Sequence, residues 1–231
     1  MEFAVGSAGE LGCRLIVTES PSPALTRSLI AIREACRAKF AEHIADAVVG
    51  YNTLTLFFHP PFEERDRTLG WLVEFATRHF ENPESALSEV GREVVLPVYY
   101  HPSVAPDLEW LAEEKALTVE ALVQLHSATT YFAYATGFAP GFCYLGDVAP
   151  ALSTPRLTTP RRAVAAGSVA IADRQTAVYP CVSPGGWRLI GSCPEPLFTL
   201  ERSPPNRLSV GDSVRFEPID RARFTELGGR L

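Results

Sequence analysis

Lysine is almost absent from this sequence. Among 231 residues, Lys39 and Lys115 are the only two lysines. No Gly-Lys dipeptide occurs, and a phosphate-binding P-loop needs that pair because its lysine reaches the β- and γ-phosphates of the nucleotide. The chain therefore carries no standard ATP site by itself. Both lysines also lie outside the glycine-rich segments described below, which disfavours Schiff-base chemistry on lysine.

Several other features are missing. The five cysteines form no CxxC pair, so the signatures of zinc ribbons and thioredoxin-like motifs are absent. No basic start precedes an apolar segment, as in a secretory signal, and no apolar run approaches the roughly 18 residues that cross a bilayer. The net charge of −6 argues against a nucleic-acid backbone as the main partner. These absences predict a reduced, cytoplasmic protein that binds neither nucleic acid nor membrane.

The first hundred residues alternate between strand-like and helix-like patterns, with Pro61 and Pro83 at the ends of elements. Apolar residues recur with helical spacing in two segments, which predicts two amphipathic helices. The order β-α-β-β-α-β is typical of a ferredoxin-like split β-α-β domain; an irregular cap made of the same elements is the alternative. Residues 1–12 are expected to be a ragged start. The predicted elements are a strand over 13–17, a helix over 24–40, strands over 47–51 and 53–58, a helix over 69–80 and a strand over 93–98.

The remainder of the chain is broken into short segments by glycine and proline. The turn-rich residues 101–107 are the predicted linker, which gives domains over 1–100 and 101–231. A helix over 108–114 and a second one capped by Thr118 follow. Short strands with regular turns then predict a closed β-barrel, so the fold class is α+β. Residues 218–231 are expected to be an exposed tail or a frayed helix. The predicted strands cover 131–136, 164–166, 169–172, 176–179, 188–191 and 213–216.

Residues 131–193 hold more glycine, proline and aromatic residues than an ordinary core requires. Glycine allows positive φ and close approach of a ligand, and proline fixes φ, so these loops have a specified geometry. Such loops on a rigid scaffold are where binding usually occurs. Tight turns of a small barrel would explain the same composition.

Four side chains in or near this region could carry chemistry. His126 could move a proton near neutral pH, or it is a hydrogen-bonded core histidine on an apolar stripe. Arg156 and Arg161 lie beside prolines and could hold a carboxylate or a phosphate, or lie on the surface. Ser168 could offer a hydroxyl group, but it lacks the GxSxG elbow of serine hydrolases.

Other residues of the region are more ambiguous. Cys143 is expected to pack as a small hydrophobic residue rather than to react. The aromatic residues Phe138, Phe142, Tyr144 and Trp187 either line a cleft or fill the ends of the barrel. The remaining histidines show no metal-ligand spacing, so no metal site is predicted.

Four motifs follow one another in the same region: GFxPGFxYLG over 137–146, PRxxTPR over 155–161, GSVAIAxxQTxVYP over 167–180 and SPGGWRLIG over 183–191. In this order they resemble the family of the B subunit of the bacterial 5-oxoprolinase, also described as allophanate hydrolase subunit 1 or the KipI-like family. A weaker match extends over residues 12–218. This sequence departs from the family pattern at Ala165, Asp173, Ala177, Ser192 and Cys193.

The resemblance implies a cyclophilin-like barrel in the second domain. It implies that the chain is one part of an ATP-dependent 5-oxoprolinase, a hydrolase that opens 5-oxo-L-proline to L-glutamate. The C subunit, which is allophanate hydrolase subunit 2-like, and the A subunit would be the partners and would share the ATP. Two alternatives stay open: a KipI-like inhibitor that binds a sensor histidine kinase, and subunit 1 of an allophanate hydrolase or urea carboxylase module.

The resemblance and the residue types together place the expected site in a cleft around the four motifs. His126 is the expected acid/base, Arg156 and Arg161 are the expected anion holders, and Ser168 is the fourth candidate catalytic residue. Backbone groups of the glycines would act as donors. The expected substrate-binding residues are Gly137, Phe138, Pro140, Gly141, Tyr144, Gly167, Tyr179, Ser183, Pro184, Gly185, Gly186 and Trp187.

Overall fold

The computed structural model describes residues 1–60, 65–82 and 91–231, so Pro61 and Pro83 lie outside the described residues. The chain divides into two compact units, Met1–Gly91 and Arg92–Leu231. This division precedes the boundary predicted at residue 100. Within the described ranges, no helix is long and apolar enough to cross a membrane.

The first unit is a four-stranded antiparallel sheet with two helices. The elements are β1 (Phe3–Ser7), β2 (Gly12–Val17), α1 (Pro23–Lys39), β3 (Ile44–Val49), β4 (Thr53–Phe58) and α2 (Arg65–Glu81). Both helices have the predicted 3.6-residue periodicity, and the side chain of Ser22 accepts the N–H of Leu25 to cap α1. The sheet order is β1-β2-β4-β3.

The predicted ferredoxin-like order is wrong in one strand. β4 lies between β2 and β3, so β2-α1-β3 does form a split β-α-β unit. The remaining edge is occupied by β1, whose Phe3 pairs with Val17, and not by residues 93–98. β1 contains small residues and glycine, so its alternation of apolar and polar residues is too weak to predict a strand. An edge strand can still form there, because it needs backbone hydrogen bonds to only one neighbour.

The second unit contains the remaining strands. Its elements are β5 (Glu93–Val98), α3 (Leu108–Glu114), α4 (Val119–Ser127), β6 (Tyr131–Thr136), β7 (Cys143–Gly146), β8 (Arg161–Val164), β9 (Ser168–Ala172), β10 (Gln175–Val178), β11 (Ser183–Gly185), β12 (Arg188–Ser192), β13 (Ser213–Pro218) and α5 (Arg221–Glu226). The predicted helix over 108–114 and the Thr118 cap are confirmed, because Thr118 Oγ1 accepts the N–H of Ala121. Two strands, β7 and β11, were not expected from the sequence, and β8 shares only Val164 with the strand predicted over 164–166.

Seven of these strands form one sheet in the order β12-β9-β10-β7-β6-β13-β5. Its two edges meet just after β5, where Tyr99 and Ser192 exchange backbone hydrogen bonds of 2.9 and 3.0 Å. The sheet is therefore a nearly closed barrel. The likeness to cyclophilin stays a prediction. β8 and β11 form a separate two-stranded sheet.

The barrel strands have apolar residues on both faces. In β9, Val169 and Ile171 belong to the larger core, which also takes in residues of α3 and α4. Ala170 and Ala172, on the opposite face, belong to a second cluster with Phe142, Tyr179 and Trp187. β9 is buried on both faces, so its sequence is a continuous apolar run rather than an alternating one.

Two further expectations are corrected. Residues 101–107 are no linker, because Ala105 and Asp107 are buried inside the second unit. Of the two alternatives for the C-terminal segment, the helix is present and the simple exposed tail is wrong, because Asp220 caps α5 and the buried ring of Phe224 lies 5.1 Å from the ring of Tyr99. The sequence does not predict this packing, because a single apolar residue in a polar segment gives no periodic pattern.

Gly191 lies at the barrel seam, where a Cβ would be 2.6 Å from Cγ1 of the buried Val98. We expect Gly191→Ala to lower the free energy of unfolding by about 1–3 kcal/mol through overpacking. Gly70 in α2 is the control, since a Cβ there meets nothing within 4 Å. Gly70→Ala should leave stability unchanged or raise it by up to about 1 kcal/mol. Urea denaturation measures both, and wild-type stability of Gly191→Ala would contradict a tightly packed seam.

Candidate functional site

An aromatic group lies on the outer face of the barrel. Phe142, Tyr179 and Trp187 are buried there, and the Phe142 ring is 5.6 Å from Tyr179 and 5.8 Å from Trp187. Tyr144 lies beside them, with its ring 4.9 Å from Phe142. Ala170, Ala172 and Ala177 are the small strand residues in this cluster, and their size leaves room for large rings.

The β6–β7 loop extends this group into solvent. Phe138 is 61% exposed, and its ring centroid lies 5.2 Å from that of Phe142. Its φ of +74° is unusual for a residue other than glycine. Gly141 has φ +86°, and a Cβ there would be 2.8 Å from Cβ of Phe198. The loop therefore has one specified shape, as its glycine content predicted.

The Tyr179 hydroxyl group lies at the centre of several predicted site residues. A Cβ at Gly185 would collide with this hydroxyl, so glycine is required there. Burial raises the pKa of Tyr179, and the backbone of Trp187 and the charges of Arg156 and Arg161 partly offset that rise. The hydroxyl is thus neutral near neutral pH and lies within electrostatic range of two guanidinium groups.

Arg156 is the accessible cation of this site. Its side chain is 56% exposed, and its guanidinium carbon lies 5.6 Å from the centre of the Trp187 ring. Its nearest carboxylate, Asp173, is 3.9 Å away and also exposed. An exposed pair at this distance contributes little, so Arg156 can exchange Asp173 for another anion.

Arg161 is held differently. Its Nη2 donates to both carboxylate oxygens of Asp107 at 2.8 Å, and its Nη1 donates to the carbonyl of Trp187 at 3.2 Å. Asp107 also accepts the N–H of Leu189 at 2.7 Å. The anion that Arg161 holds is therefore a carboxylate of the same chain, which leaves its predicted role toward a ligand without support.

Asp107 and Arg188 complete the cluster, and the sequence analysis did not single out either. Arg188 Nη1 lies 3.9 Å from Asp107 Oδ1, and its guanidinium carbon lies 3.7 Å from the centre of the Trp110 ring. Asp107 directly precedes a helix in a proline-rich turn, where it resembles a capping residue. Arg188 sits inside SPGGWRLIG, so its place in a motif was the one available signal.

The structure thus gathers part of the predicted site. The members brought together are Arg156, Arg161, Phe138, Tyr144, Tyr179, Gly185 and Trp187. Gly186 lies beside them, and its carbonyl accepts the N–H of Leu157 at 2.7 Å. Ser183 and Pro184 lie on β11, and Gly137, Pro140 and Gly141 shape the β6–β7 loop.

Gly167 and Ser168 have positions that suit structural roles. Gly167 has φ +84°, and a Cβ there would collide with the carbonyl oxygen of Cys193. Ser168 begins β9 and is buried. A hydrolytic role for Ser168 gains no support from this placement. Cys143 is also buried, and burial raises its pKa to about 12, which agrees with packing rather than reactivity.

His126 lies in the core of the second unit and is fully buried. Its Nδ1 is 2.8 Å from the Tyr100 hydroxyl, and its Nε2 is 2.9 Å from Thr176 Oγ1. Because Thr176 donates its own hydroxyl proton to the carbonyl of Ala170, it accepts from His126, which places the proton on Nε2 and leaves Nδ1 to accept from Tyr100. Both nitrogens are engaged, so the acid/base hypothesis gains no support here.

Metal ligands were not expected from the sequence. In the ranges that the structure covers, no group of three or more His, Cys, Asp or Glu side chains is arranged to hold a metal ion.

Removing the Asp107 carboxylate tests the cluster. We expect Asp107→Ala to lower the free energy of unfolding by about 3 kcal/mol, because the partly buried guanidinium of Arg161 loses its paired charge and the N–H of Leu189 loses its acceptor. Glu93→Ala is the control: it removes an exposed carboxylate 3.0 Å from Arg215 Nε and should cost at most about 1 kcal/mol. Urea denaturation measures both, and equal losses would contradict the special position of Asp107.

His126 predicts a pH dependence of stability. Burial lowers its pKa to about 3, whereas an unfolded histidine titrates near 6.5. As the pH falls below 6.5, the unfolded state binds a proton on this histidine and the folded state does not. The free energy of unfolding therefore falls by up to about 1.4 kcal/mol per pH unit. His126→Gln should remove this slope between pH 6 and about 5, above the range of most carboxylates.

The exposed His59 provides the control variant, His59→Gln, which should keep the wild-type slope. Urea denaturation should be followed by tryptophan fluorescence with Trp71 replaced by Phe, so that Trp110 and Trp187 of the second unit report. An unchanged slope in His126→Gln would show that the imidazole becomes protonated in the folded protein.

Comparisons with known proteins agree on one family. Residues 4–208 match the family described as carboxyltransferase domain, subdomain C and D. The chain is 36% identical over 180 residues to the 5-oxoprolinase B subunit of Bacillus subtilis (strain 168), covering 75% of each chain. It is 39% identical over 176 residues to the 5-oxoprolinase B subunit of Escherichia coli O157:H7, covering 76% of this chain and 78% of the relative.

Solved structures with a similar fold are also known. The crystal structure of TTHA0988 matches with a TM-score of 0.76 and 36% identity over 90% of this chain. This chain spans only 40% of that longer protein. The Kluyveromyces lactis urea carboxylase matches with a TM-score of 0.71 at 13% identity, over 97% of this chain and 22% of that protein, which shows a shared fold alone. The chain therefore belongs to the carboxyltransferase-domain family of subdomains C and D, together with the bacterial 5-oxoprolinase B subunits.

Proposed function

We propose that this chain is the B subunit of a bacterial ATP-dependent 5-oxoprolinase, which opens the lactam of 5-oxo-L-proline to L-glutamate with hydrolysis of ATP. It would act in the cytoplasm, together with the A and C subunits of that enzyme. The observation that carries the proposal is the 36–39% identity to three relatives that are themselves named as 5-oxoprolinase B subunits.

The geometry of the candidate site supports this proposal. 5-Oxo-L-proline is a small, flat lactam with a carboxylate, so it needs an aromatic surface, hydrogen-bond donors and a cation. The exposed ring of Phe138 supplies aromatic surface, and the buried rings of Phe142 and Tyr179 support it from below. The exposed guanidinium of Arg156 lies 5.6 Å from the centre of the Trp187 ring and supplies hydrogen-bond donors and positive charge beside this surface.

The same residues fit only part of an ATP site. A triphosphate needs several cations or a lysine-bearing loop, whereas Arg161 is neutralised by Asp107 and both lysines lie elsewhere. We infer that the nucleotide is shared with the partner subunits. The contribution of this chain would be Arg156, because its guanidinium can bind an anionic oxygen and orient it beside Trp187.

The other hypotheses have less support. The urea carboxylase likeness at 13% identity concerns the fold, so it carries no argument about substrate. The KipI-like inhibitor of a histidine kinase stays a prediction. A chain that binds a kinase and has no partner subunits would show no dependence of any activity on Arg156.

Arg156→Ala tests the proposal in the assembled enzyme. After co-expression with candidate A and C subunits, we expect ATP-dependent release of glutamate from 5-oxo-L-proline, and Arg156→Ala should lower kcat/KM about tenfold or more through loss of a charged contact. The control is Arg174→Ala, which removes an exposed arginine paired with Asp147 and should leave kcat/KM unchanged. An assembled complex that releases no glutamate would refute the proposal.

A further inference from the structure

Arg188 has few hydrogen-bond partners and no close counter-charge. Its side chain is 17% exposed, and its Nε is buried without a hydrogen-bond partner. The described part of the chain supplies no hydrogen bond to its other nitrogens either, and the one carboxylate near it is 3.9 Å away. A buried guanidinium normally makes several hydrogen bonds, because its desolvation is otherwise uncompensated.

The charges around Arg188 do not balance. Two guanidinium groups, those of Arg161 and Arg188, face the single carboxylate of Asp107. Asp107 accepts two hydrogen bonds from Arg161 and one from the N–H of Leu189, so its charge is mainly paired with Arg161 and not with Arg188. The cluster therefore keeps one excess positive charge, which is located on Arg188.

The guanidinium of Arg188 lies over the ring of Trp110. The guanidinium carbon is 3.7 Å from the ring centre, which is stacking distance. Trp110 itself is 39% exposed on α3, so solvent reaches the stacked pair. A planar guanidinium fixed on an aromatic surface loses little further entropy when it forms the two parallel hydrogen bonds that a carboxylate offers.

The neighbouring Asp107 also selects the ligand. A phosphate dianion at Arg188 would be repelled by the Asp107 carboxylate and would exceed the single excess charge. A carboxylate monoanion balances that charge, and its flat shape matches the guanidinium edge. We propose that Arg188, stacked on Trp110, is a binding site for the carboxylate of a small-molecule ligand.

The site adjoins the aromatic group described above. Arg161 contacts the carbonyl of Trp187 with one nitrogen and Asp107 with another, so a single side chain connects the two clusters. The ligand whose carboxylate binds Arg188 is then 5-oxo-L-proline. This identification rests on the proposed function, whereas the carboxylate site itself does not.

Binding to the purified chain is the first test. Isothermal titration should be run with 5-oxo-L-proline and with 2-pyrrolidinone, which has the same lactam ring but no carboxylate. We expect the carboxylate compound to bind at least about tenfold more tightly, as loss of a charge-assisted contact implies. Arg188→Gln should abolish that difference, Arg188→Lys should retain part of it, and Trp110→Leu should weaken 5-oxo-L-proline binding several-fold by releasing the guanidinium.

Arg215→Gln is the matched control, because Arg215 is a half-exposed arginine of another strand paired with Glu93. It should bind both compounds as the wild type does. Thermal unfolding should establish that Arg188→Gln is folded, and the milder Trp110→Leu variant serves where it is not. Wild-type affinity in folded Arg188→Gln, equal affinity for the two compounds, or no binding to the wild-type chain would each overturn the carboxylate site.

Kinetics of the assembled enzyme separate this inference from the proposed function. If both hold, Arg188→Gln should raise the KM for 5-oxo-L-proline about tenfold, while the KM for ATP should stay constant. Carboxylate binding by the chain without turnover by the complex would support the site and refute the function. Normal turnover with an unchanged KM in Arg188→Gln would support the function and refute the site.

Discussion

The buried carboxylate of Asp107 is the contact on which the candidate site depends. It accepts hydrogen bonds from Arg161 of β8 and from the N–H of Leu189 in β12, and its own N–H donates to the Leu189 carbonyl. Because α3 begins at the next residue, one side chain joins a helix and two strands of different sheets. A buried carboxylate is tolerated only with such partners. Separating these elements would therefore leave a buried charge unpaired and would be destabilising.

The two-faced barrel wall provides the platform for this arrangement. On the inner face, branched side chains such as Val169 and Ile171 fill a conventional core. On the outer face, the alanines of β9 and β10 leave space for the rings of Tyr179 and Trp187. The aromatic cluster is thus rigid, and the arginines beside it differ: Arg161 is paired with Asp107, Arg156 is exposed, and Arg188 is mostly buried with its charge unbalanced.

Prediction from the sequence succeeded where local pattern decides structure. The helices α1 to α4, the Thr118 cap and most barrel strands follow from periodicity and turn residues, and the dense motifs did mark the region where Arg156, Tyr179 and Trp187 meet. It failed for β1, whose pairing gives no strong pattern, and for β5, whose apolar sequence suits either sheet. The roles of His126 and Arg161 depended on their partners, Tyr100, Thr176 and Asp107, which are distant in sequence.

Residue identity and short-range spacing are enough to establish the element types, the absence of a standard lysine-bearing nucleotide site and the family. Long-range contacts were needed to establish which sheet takes residues 93–98, which histidine is a core residue and which arginine keeps an unbalanced charge. These outcomes depend on strand pairing across the chain and on the partners that each charged group meets after burial. Neither is encoded in the spacing of neighbouring residues.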